Sequence, residues 1–326
     1  MSAPMTDARP EKRACCCSHA KAAAPTPSNE AARTEGMVRI LGGEFTMGSD
    51  VFYREERPAR RATAPDFWID THPVTNAQFK AFVDATGYLT VSERQPDASR
   101  YPDADPALLC PGSLVFTQPS SRVGSRDYRN WWAYVPGANW RHPQGPDSDL
   151  KGLADHPVVH VSFADASAYA AWAGKSLPSE LEWEYAARGG LDGAAYAWGD
   201  EFAPEGRQMA NTWQGEFPWQ NTALDGYERT SPVKSYPANG YGLYDVAGNV
   251  WEWTATRYGN APGVEEAKAC CIPSSGLDDP DVRNVVKGGS HLCAPGYCLR
   301  YRPAARQGQT LDTSTSHIGF RCILRV

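Results

Sequence analysis

Asn239-Gly240-Tyr241-Gly242-Leu243-Tyr244-Asp245-Val246-Ala247-Gly248-Asn249-Val250-Trp251-Glu252-Trp253-Thr254 is the stretch from which the fold class follows. Asn-Gly and two further glycines punctuate it, which marks tight turns rather than a continuous helix. Its close, Val250 to Trp253, is short, β-branched and aromatic, and reads as a strand. Similar pieces precede it: Trp198-Gly199-Asp200 and Asn211-Thr212-Trp213-Gln214-Gly215. From Gly189-Gly190 onward the chain therefore reads as turns and short strands.

Upstream the pattern changes. Ser179 with Glu182 three residues on forms a capping box for a helix that ends at Gly189-Gly190. A helix is expected over about 164–173, with Tyr169 and Trp172 on one side, after a short apolar strand at 156–160 (HPVVH). Thr75 or Asn76 caps another helix, whose apolar face is Phe79, Phe82 and Val83 and whose stop is Gly87. Residues 39–49 read as strand, Gly-Gly turn, strand, and 67–70 as an aromatic strand. Residues 88–155 have little periodicity and read as long surface loops pinned by Trp131, Trp132 and Trp140. The expected fold is α+β: a single loop-rich domain over 37–326 with low regular secondary structure, after a disordered leader at 1–36.

Composition agrees. With 29 Gly, 26 Pro and 11 Trp in 326 residues, aromatic packing of irregular chain is expected instead of a helix bundle. A net charge of −6 gives no overall pull toward nucleic acid or an anionic membrane. No apolar run reaches the roughly 18–20 residues of a spanning helix, and the leader lacks the apolar centre of an export signal. The nine cysteines (15, 16, 17, 110, 270, 271, 293, 298 and 322) are odd in number and partly adjacent, a poor disulfide framework. A reducing, cytoplasmic compartment is expected.

Lys287-Gly288-Gly289-Ser290-His291-Leu292-Cys293-Ala294-Pro295-Gly296-Tyr297-Cys298 is the most informative stretch for chemistry. Val285-Val286 is a strand, Gly288-Gly289 permits a tight turn, and Pro295-Gly296 can fold the two thiols together. Spacing alone leaves three readings open: two inert buried thiols, a disulfide, or a metal or redox pair. Two thiolates would suit a soft ion such as Cu(I).

A set of motifs extends this reading: GGEFTMGS (42–49), PVTNAQFKAFVDATGY (73–88), HPVVHVSFADASAYAAWAGKSLPSELEWEYAARGG (156–190), ANTWQGEFPWQNT (210–222), NGYGLYDVAGNVWEWT (239–254), KGGSHLCAPGYCLRYRPAARQ (287–307) and HIGFRC (317–322). With them the chain, over 38–326, closely resembles the formylglycine-generating enzymes, or sulfatase-modifying factors. GGxFxMGS and GNVWEW belong also to wider relatives of the fold. The group Ser290, Cys293, Cys298, Arg300, Arg302 and Arg306 distinguishes the enzymes. The resemblance implies a lectin-like fold of the C-type class and oxidation of the cysteine in a Cys-x-Pro-x-Arg motif of unfolded sulfatase polypeptides to Cα-formylglycine, with O2 and a thiol reductant. It implies Cu(I) on Cys293 and Cys298, completed by the substrate thiolate and activating O2. It gives Ser290 an active-site role, Trp251 a place on the oxygen pocket, and Arg306 a substrate contact. His317 also touches substrate, although the family often has Asn there.

The resemblance further implies two structural Ca2+ ions. One takes Asn211, the Thr212 carbonyl, Asp225 and the Tyr227 carbonyl. The other takes Asp245, the Gly248 and Val250 carbonyls and Glu252. By composition alone these are solvated turn residues. Secreted eukaryotic members carry disulfides that would pair Cys322 with the position of Ala170 and would need cysteines at Ala187 and Pro303, so Cys322 is expected to be unpaired. The rival reading is a non-catalytic ligand-binding module of the same lectin-like fold, and such a module has no use for the C-x4-C pair. An iron-dependent sulfoxide synthase would need a further helical domain. His156 and His160 read as structural histidines, since i and i+4 in a strand lie roughly 13 Å apart. Cys15 to Cys17 with His19 read as an adventitious cluster, and Cys271-Ile272-Pro273-Ser274-Ser275 as a loop that lacks the motif arginine.

Overall fold

The computed structural model describes residues 33–259 and 282–326. The Cys15 to Cys17 cluster with His19, and the 271–275 segment, lie outside the described residues.

Three helices have the ends their sequences specify. Helix α1 (Asn76–Thr86) starts at Thr75, whose side chain accepts the Gln78 N–H while Gln78 reaches back, and stops at Gly87 in the left-handed region. Helix α2 (Phe163–Trp172) begins with the Ser162/Asp165 box, one residue before the expected start. Helix α3 (Glu180–Arg188) uses the Ser179/Glu182 box and ends at Gly189, φ 58. The turn at Asn239 completes that end. Asn239 Nδ2 donates to the Ala186 and Ala187 carbonyls at 2.8 and 3.1 Å, and its Oδ1 accepts the Tyr241 and Leu243 N–H groups at 3.0 Å each. Gly240 is required here because a Cβ would lie 2.2 Å from the Gly189 carbonyl oxygen.

The strands are short. In chain order they are β1 (Met37–Ile40), β2 (Gly43–Met47), β3 (Arg60–Ala64), β4 (Phe67–Asp70), β5 (Gly112–Phe116), β6 (Trp132–Pro136), β7 (Trp251–Arg257), β8 (Arg283–Lys287), β9 (Arg306–Thr310), β10 (Ile318–Gly319) and β11 (Ile323–Arg325). A four-stranded sheet runs β10-β7-β8-β9, with β10 parallel to β7 and the other pairs antiparallel. A three-stranded sheet runs β1-β4-β11, and β2-β3 and β5-β6 are hairpins. The result is the expected α+β, loop-rich fold.

Two expectations change. HPVVH is extended loop, held by one bridge between Pro157 and Thr75, and His160 has φ 59. Its backbone hydrogen bonds run to Val74, Asn76, Leu153 and Thr315, none of them in a strand, so it joins no sheet. Residues 88–155 contain the β5-β6 hairpin, in register from Gly112–Pro136 to Phe116–Trp132. Its strands are 15 residues apart in sequence, beyond the reach of hairpin-turn signals. Trp131 and Trp140 are buried as expected, whereas Trp132 is only half-buried.

Two apolar cores lie side by side. One gathers Phe79, Trp140, Tyr169, Trp251, Trp253 and Phe320; the other gathers Phe45, Phe67, Trp183, Tyr185 and Ile323. Between them Glu252 and Arg321, both fully buried, form a two-point pair at 2.7 and 2.7 Å. Cys322 is buried and unbridged in the first core with Ala170.

Replacing Arg321 by Leu leaves the Glu252 carboxylate buried without its cation. Removing one partner of such a pair costs about 3–5 kcal/mol. Urea denaturation of Arg321→Leu should show a loss of that size, and a loss below about 1 kcal/mol would mean the pair is not structurally required.

Candidate active site

The site is built on the turn that leaves β8. Gly288 and Gly289 have φ 88 and 71. A Cβ on Gly289 would sit 2.8 Å from the Arg300 carbonyl oxygen, so the backbone crossing there admits only glycine. The Ser290 carbonyl then accepts the Cys293 N–H at 2.9 Å, and the Ala294 carbonyl accepts those of Tyr297 and Cys298 at 3.1 and 2.8 Å. These turns bring Cys293 Sγ and Cys298 Sγ to 3.2 Å. That separation is hydrogen-bonding distance and well beyond a disulfide bond of about 2.05 Å.

The two thiols differ in proton affinity. Cys298 is lowered to about 7, first by the S–H it accepts from Cys293 and then by the Arg300 guanidinium. Cys293 is pushed up by burial and by the neighbouring sulfur. The Ser290 N–H donates to Cys293 Sγ at 3.4 Å, and Ser290 Oγ accepts the Leu292 N–H at 3.2 Å. Ser290 thus shapes the turn as well as facing the cavity.

A cavity of about 520 Å³ opens onto the pair. Its wall carries Cys293, Cys298, Ser290, Trp251 and His317, so five residues named from the sequence converge. Trp251 arrives on β7, and its N–H donates to the His317 carbonyl at 2.9 Å. His317 is half-buried against Trp132, ring centroids 4.8 Å apart, with Nδ1 paired to Thr315 Oγ1 at 2.8 Å. Burial and the nearby His291 and His160 hold it well below the ordinary histidine range.

Arg306 is placed differently. Its Nε and Nη2 each lie 2.8 Å from Glu180, behind the wall, and the residues that follow it, Gln307 and Gly308, line the cavity. Sequence reading missed Glu55, Trp132, Phe217, Tyr258 and Arg283 on that wall. They come from segments up to 250 residues away with no local pattern. The signal that could have found some of them was the aromatic content of the long loop region.

Among the described residues no group of three or more His, Cys, Asp or Glu is arranged to hold a metal. The dithiol offers two soft donors, Cys293 Sγ and Cys298 Sγ. Of the two oxygen-ligand sets, the first has unmet capacity. Asn211 Oδ1 is buried without a hydrogen-bond partner, and the Asp225 carboxyl beside it is raised by burial while accepting the Thr212 and Tyr227 N–H groups at 3.3 and 3.1 Å. In the second, Asp245 accepts the Lys234 N–H at 2.8 Å and Asn249 Nδ2 at 3.2 Å. Glu252 accepts from Arg321 and, at 2.7 Å, from the Trp183 indole. Neither His156, bonded to Thr230, nor His160, bonded to Ser113 and the Pro143 carbonyl, joins the site.

A family profile described as the sulfatase-modifying factor enzyme 1-like domain matches residues 22–326. The chain is 54% identical over 290 residues to the protein named formylglycine-generating enzyme from Mycobacterium tuberculosis, covering 88% of this chain and 97% of that one. It is also 40% identical over 296 residues to a Bos taurus protein named inactive C-alpha-formylglycine-generating enzyme 2, covering 89% and 88%. Among solved structures, PvdO from Pseudomonas aeruginosa superposes with a TM-score of 0.58 at 25% identity, over 89% of this chain and 94% of that one.

His160 and His291 make the architecture acid-sensitive. Burial first, against one backbone hydrogen bond each, lowers both to about 4. Unfolded histidine binds its proton near 6.5, so below that pH the unfolded chain takes up protons that the native one refuses, and stability falls. Between pH 7 and 5 the loss should be about 2 kcal/mol for each residue. Urea melts at the two pH values, repeated with His160→Gln, test it: a pH-independent midpoint refutes the assignment.

Proposed function

Since the chain belongs to the sulfatase-modifying factor enzyme 1-like family, we propose that it converts the cysteine of a Cys-x-Pro-x-Arg motif in unfolded sulfatase polypeptides to Cα-formylglycine, using O2, a thiol reductant and Cu(I). The carrying observation is the Cys293–Cys298 pair, 3.2 Å apart on the wall of a peptide-sized cavity. Family membership alone does not decide activity, because a relative named inactive is also close. A binding module of this fold would need the cavity but not the paired thiols.

The stoichiometry balances with two thiol equivalents. One peptide CH2–SH, one O2 and two reductant thiols give the aldehyde, hydrogen sulfide, water and one reductant disulfide. When bound, Cu(I) would supply O2 activation, held by Cys293 and Cys298 with the peptide thiolate as third ligand. Both sulfurs are soft donors, and Cys298 loses its proton close to neutrality, which suits such an ion. The residues of the chain do the rest. Ser290 holds the turn that aims the pair. Trp251, Trp132 and Phe217 give the cavity apolar walls that displace water from the reacting Cβ. His317, kept neutral by burial, presents an uncharged ring beside Trp132 to the peptide. Arg306 supports Gln307 and Gly308 on the wall through its pair with Glu180.

Calcium at the two turn loops belongs to the same proposal, with unequal support. The buried, unpaired Asn211 Oδ1 beside Asp225 speaks for the first loop. The second would have to share Asp245 and Glu252 with Asn249, Arg321 and Trp183. A reducing cytoplasmic setting is proposed on the four described cysteines, Cys110, Cys293, Cys298 and Cys322, all unbridged. No helix among the described residues is long and apolar enough to cross a membrane.

Incubation with a Cys-x-Pro-x-Arg peptide, O2, copper and a thiol, followed by mass spectrometry, should show CH2SH replaced by CHO. Cys298→Ser exchanges a soft thiolate for a hard hydroxyl, so turnover and copper binding should fall by orders of magnitude in a protein that still folds. A folded, fully active Cys298→Ser protein would end this reading. For calcium, EDTA should lower the melting temperature of the wild type by more than that of Asp225→Ala, which lacks the first loop's carboxylate; equal EDTA responses would remove the ion from the first loop.

A further inference from the structure

The sequence around Cys298 continues Leu299-Arg300-Tyr301-Arg302, and the loop at 50–57 packs across it. The two basic residues meet two adjacent acids there, but the pairs differ. Arg302 and Glu56 are both fully buried and neutralise each other, with the guanidinium 3.7 Å over the Phe52 ring. Arg300 stands at the cavity and divides its fork. Nη2 donates to Glu55 Oε1 at 2.6 Å, while Nη1 points the other way, 3.8 Å from Cys298 Sγ. The guanidinium lies 4.0 Å over the Tyr53 ring, and Tyr53 is itself held because its hydroxyl accepts the Leu299 N–H at 2.9 Å. Arg300 Nε is buried with no hydrogen-bond partner. The side chain leaves one donor unmet to keep its fork between the carboxylate and the sulfur.

The charges around the pair show why this matters. Two thiolates on one Cu(I) carry a net negative charge, and a third thiolate from the peptide makes it more negative. A half-buried anionic cluster needs a fixed cation beside it. Of the buried cations near in sequence, Lys287 and Arg306 are both paired with Glu180, and Arg302 is paired with Glu56. Arg283 also lines the cavity, but it is exposed. Among the described residues Arg300 is the cation with a hydrogen bond to one of the two sulfurs.

We propose that Arg300 is a positioning residue of this site: its guanidinium, oriented by Glu55 and Tyr53, supplies the positive charge against which Cys293, Cys298 and the peptide thiolate gather on one soft monovalent ion. This rests on the Cu(I) reading above, and it assigns the loop at 50–57 a part in ion binding. A role confined to tying that loop down would act on folding and be indifferent to the ion.

The test is anaerobic titration of Cu(I) into the full-length protein against a chromophoric Cu(I) chelator, for wild type, Arg300→Met and Arg300→Lys, with the metal-free melting temperature of each. Arg300→Met should lose about ten- to a hundredfold in Cu(I) affinity, as neighbours of metal ligands do when removed. Arg300→Lys keeps the charge but gives up the fork and the stacking on Tyr53, so it should lose clearly less than Arg300→Met without matching wild type. Arg300→Gln serves as the neutral variant if the methionine variant does not fold. A neutral variant that binds Cu(I) as tightly as wild type overturns the proposal. So does a lysine variant that loses as much as the neutral one, because geometry rather than charge would then be at work. A wild type that binds no Cu(I) refutes the copper reading itself, and that is read from the first curve before any variant is compared.

Discussion

The buried pair of Glu252 and Arg321 sits where the two apolar cores and two of the sheets meet. Arg321 gives its donors to Glu252 and to the backbone carbonyls of Asp70, Tyr244 and Asp245, and Glu252 accepts also from the Trp183 indole. One guanidinium thus ties β4, the turn-rich stretch before β7, β7 itself and the C-terminal segment, with α3 joined through Trp183. The functional consequence follows from strand alternation. With Glu252 turned toward Arg321, its neighbours Trp251 and Trp253 must point to the opposite face. Trp251 therefore reaches the cavity, and Trp253 is buried with its indole donating to the Val161 carbonyl. A slip of one residue in β7 would remove Trp251 from the cavity and strand a carboxylate in a core.

A second buried network supports the cavity from below. In the β8-β9 register Lys287 stands opposite Arg306. Like charges across a ladder repel, and neither side chain reaches water. Glu180, at the start of α3, lies between them, 3.4 Å from Lys287 and 2.8 Å from Arg306, and Glu184 one turn on takes Lys287 and Arg188 at 2.9 and 2.7 Å. A helix face with acids at i and i+4 thereby fixes which residues of β8 and β9 are paired. The Gly288-Gly289 turn leaves the end of β8, so that register also places the dithiol. Such a network contributes more to selecting one arrangement than to net stability.

Turn chemistry and charge then meet in the site. Local hydrogen bonds bring the two sulfurs together, and their proton affinities part for different reasons: burial raises Cys293, whereas the hydrogen bond with Cys293 and then Arg300, two residues on and supported by Glu55, lower Cys298. Aromatic residues from the β5-β6 hairpin and the loop at 213–220 close the cavity over them, with Phe217 stacked on Tyr297 at 4.2 Å. The centre is local in its ligands and global in its environment.

The division between sequence and tertiary structure runs along the same line. Features set by a few consecutive residues were legible. The cap at Thr75 or Asn76, the capping box at Ser179, the glycine stops at Gly87 and Gly189, the Asn239 turn, and the approach of Cys293 to Cys298 all depend on backbone hydrogen bonds closed within a few positions. The α+β, loop-rich class followed from their density. What required the third dimension has partners far along the chain. HPVVH has strand composition but pairs with no strand, and the β5-β6 hairpin closes over a loop too long for turn rules. Arg306 is paired with Glu180, 126 residues upstream, and Arg300 is aimed at Cys298 by Glu55, 245 residues upstream. Charge and burial are properties of the packed surroundings, so the sequence by itself named the two sulfurs, and only the fold decided which charges face them.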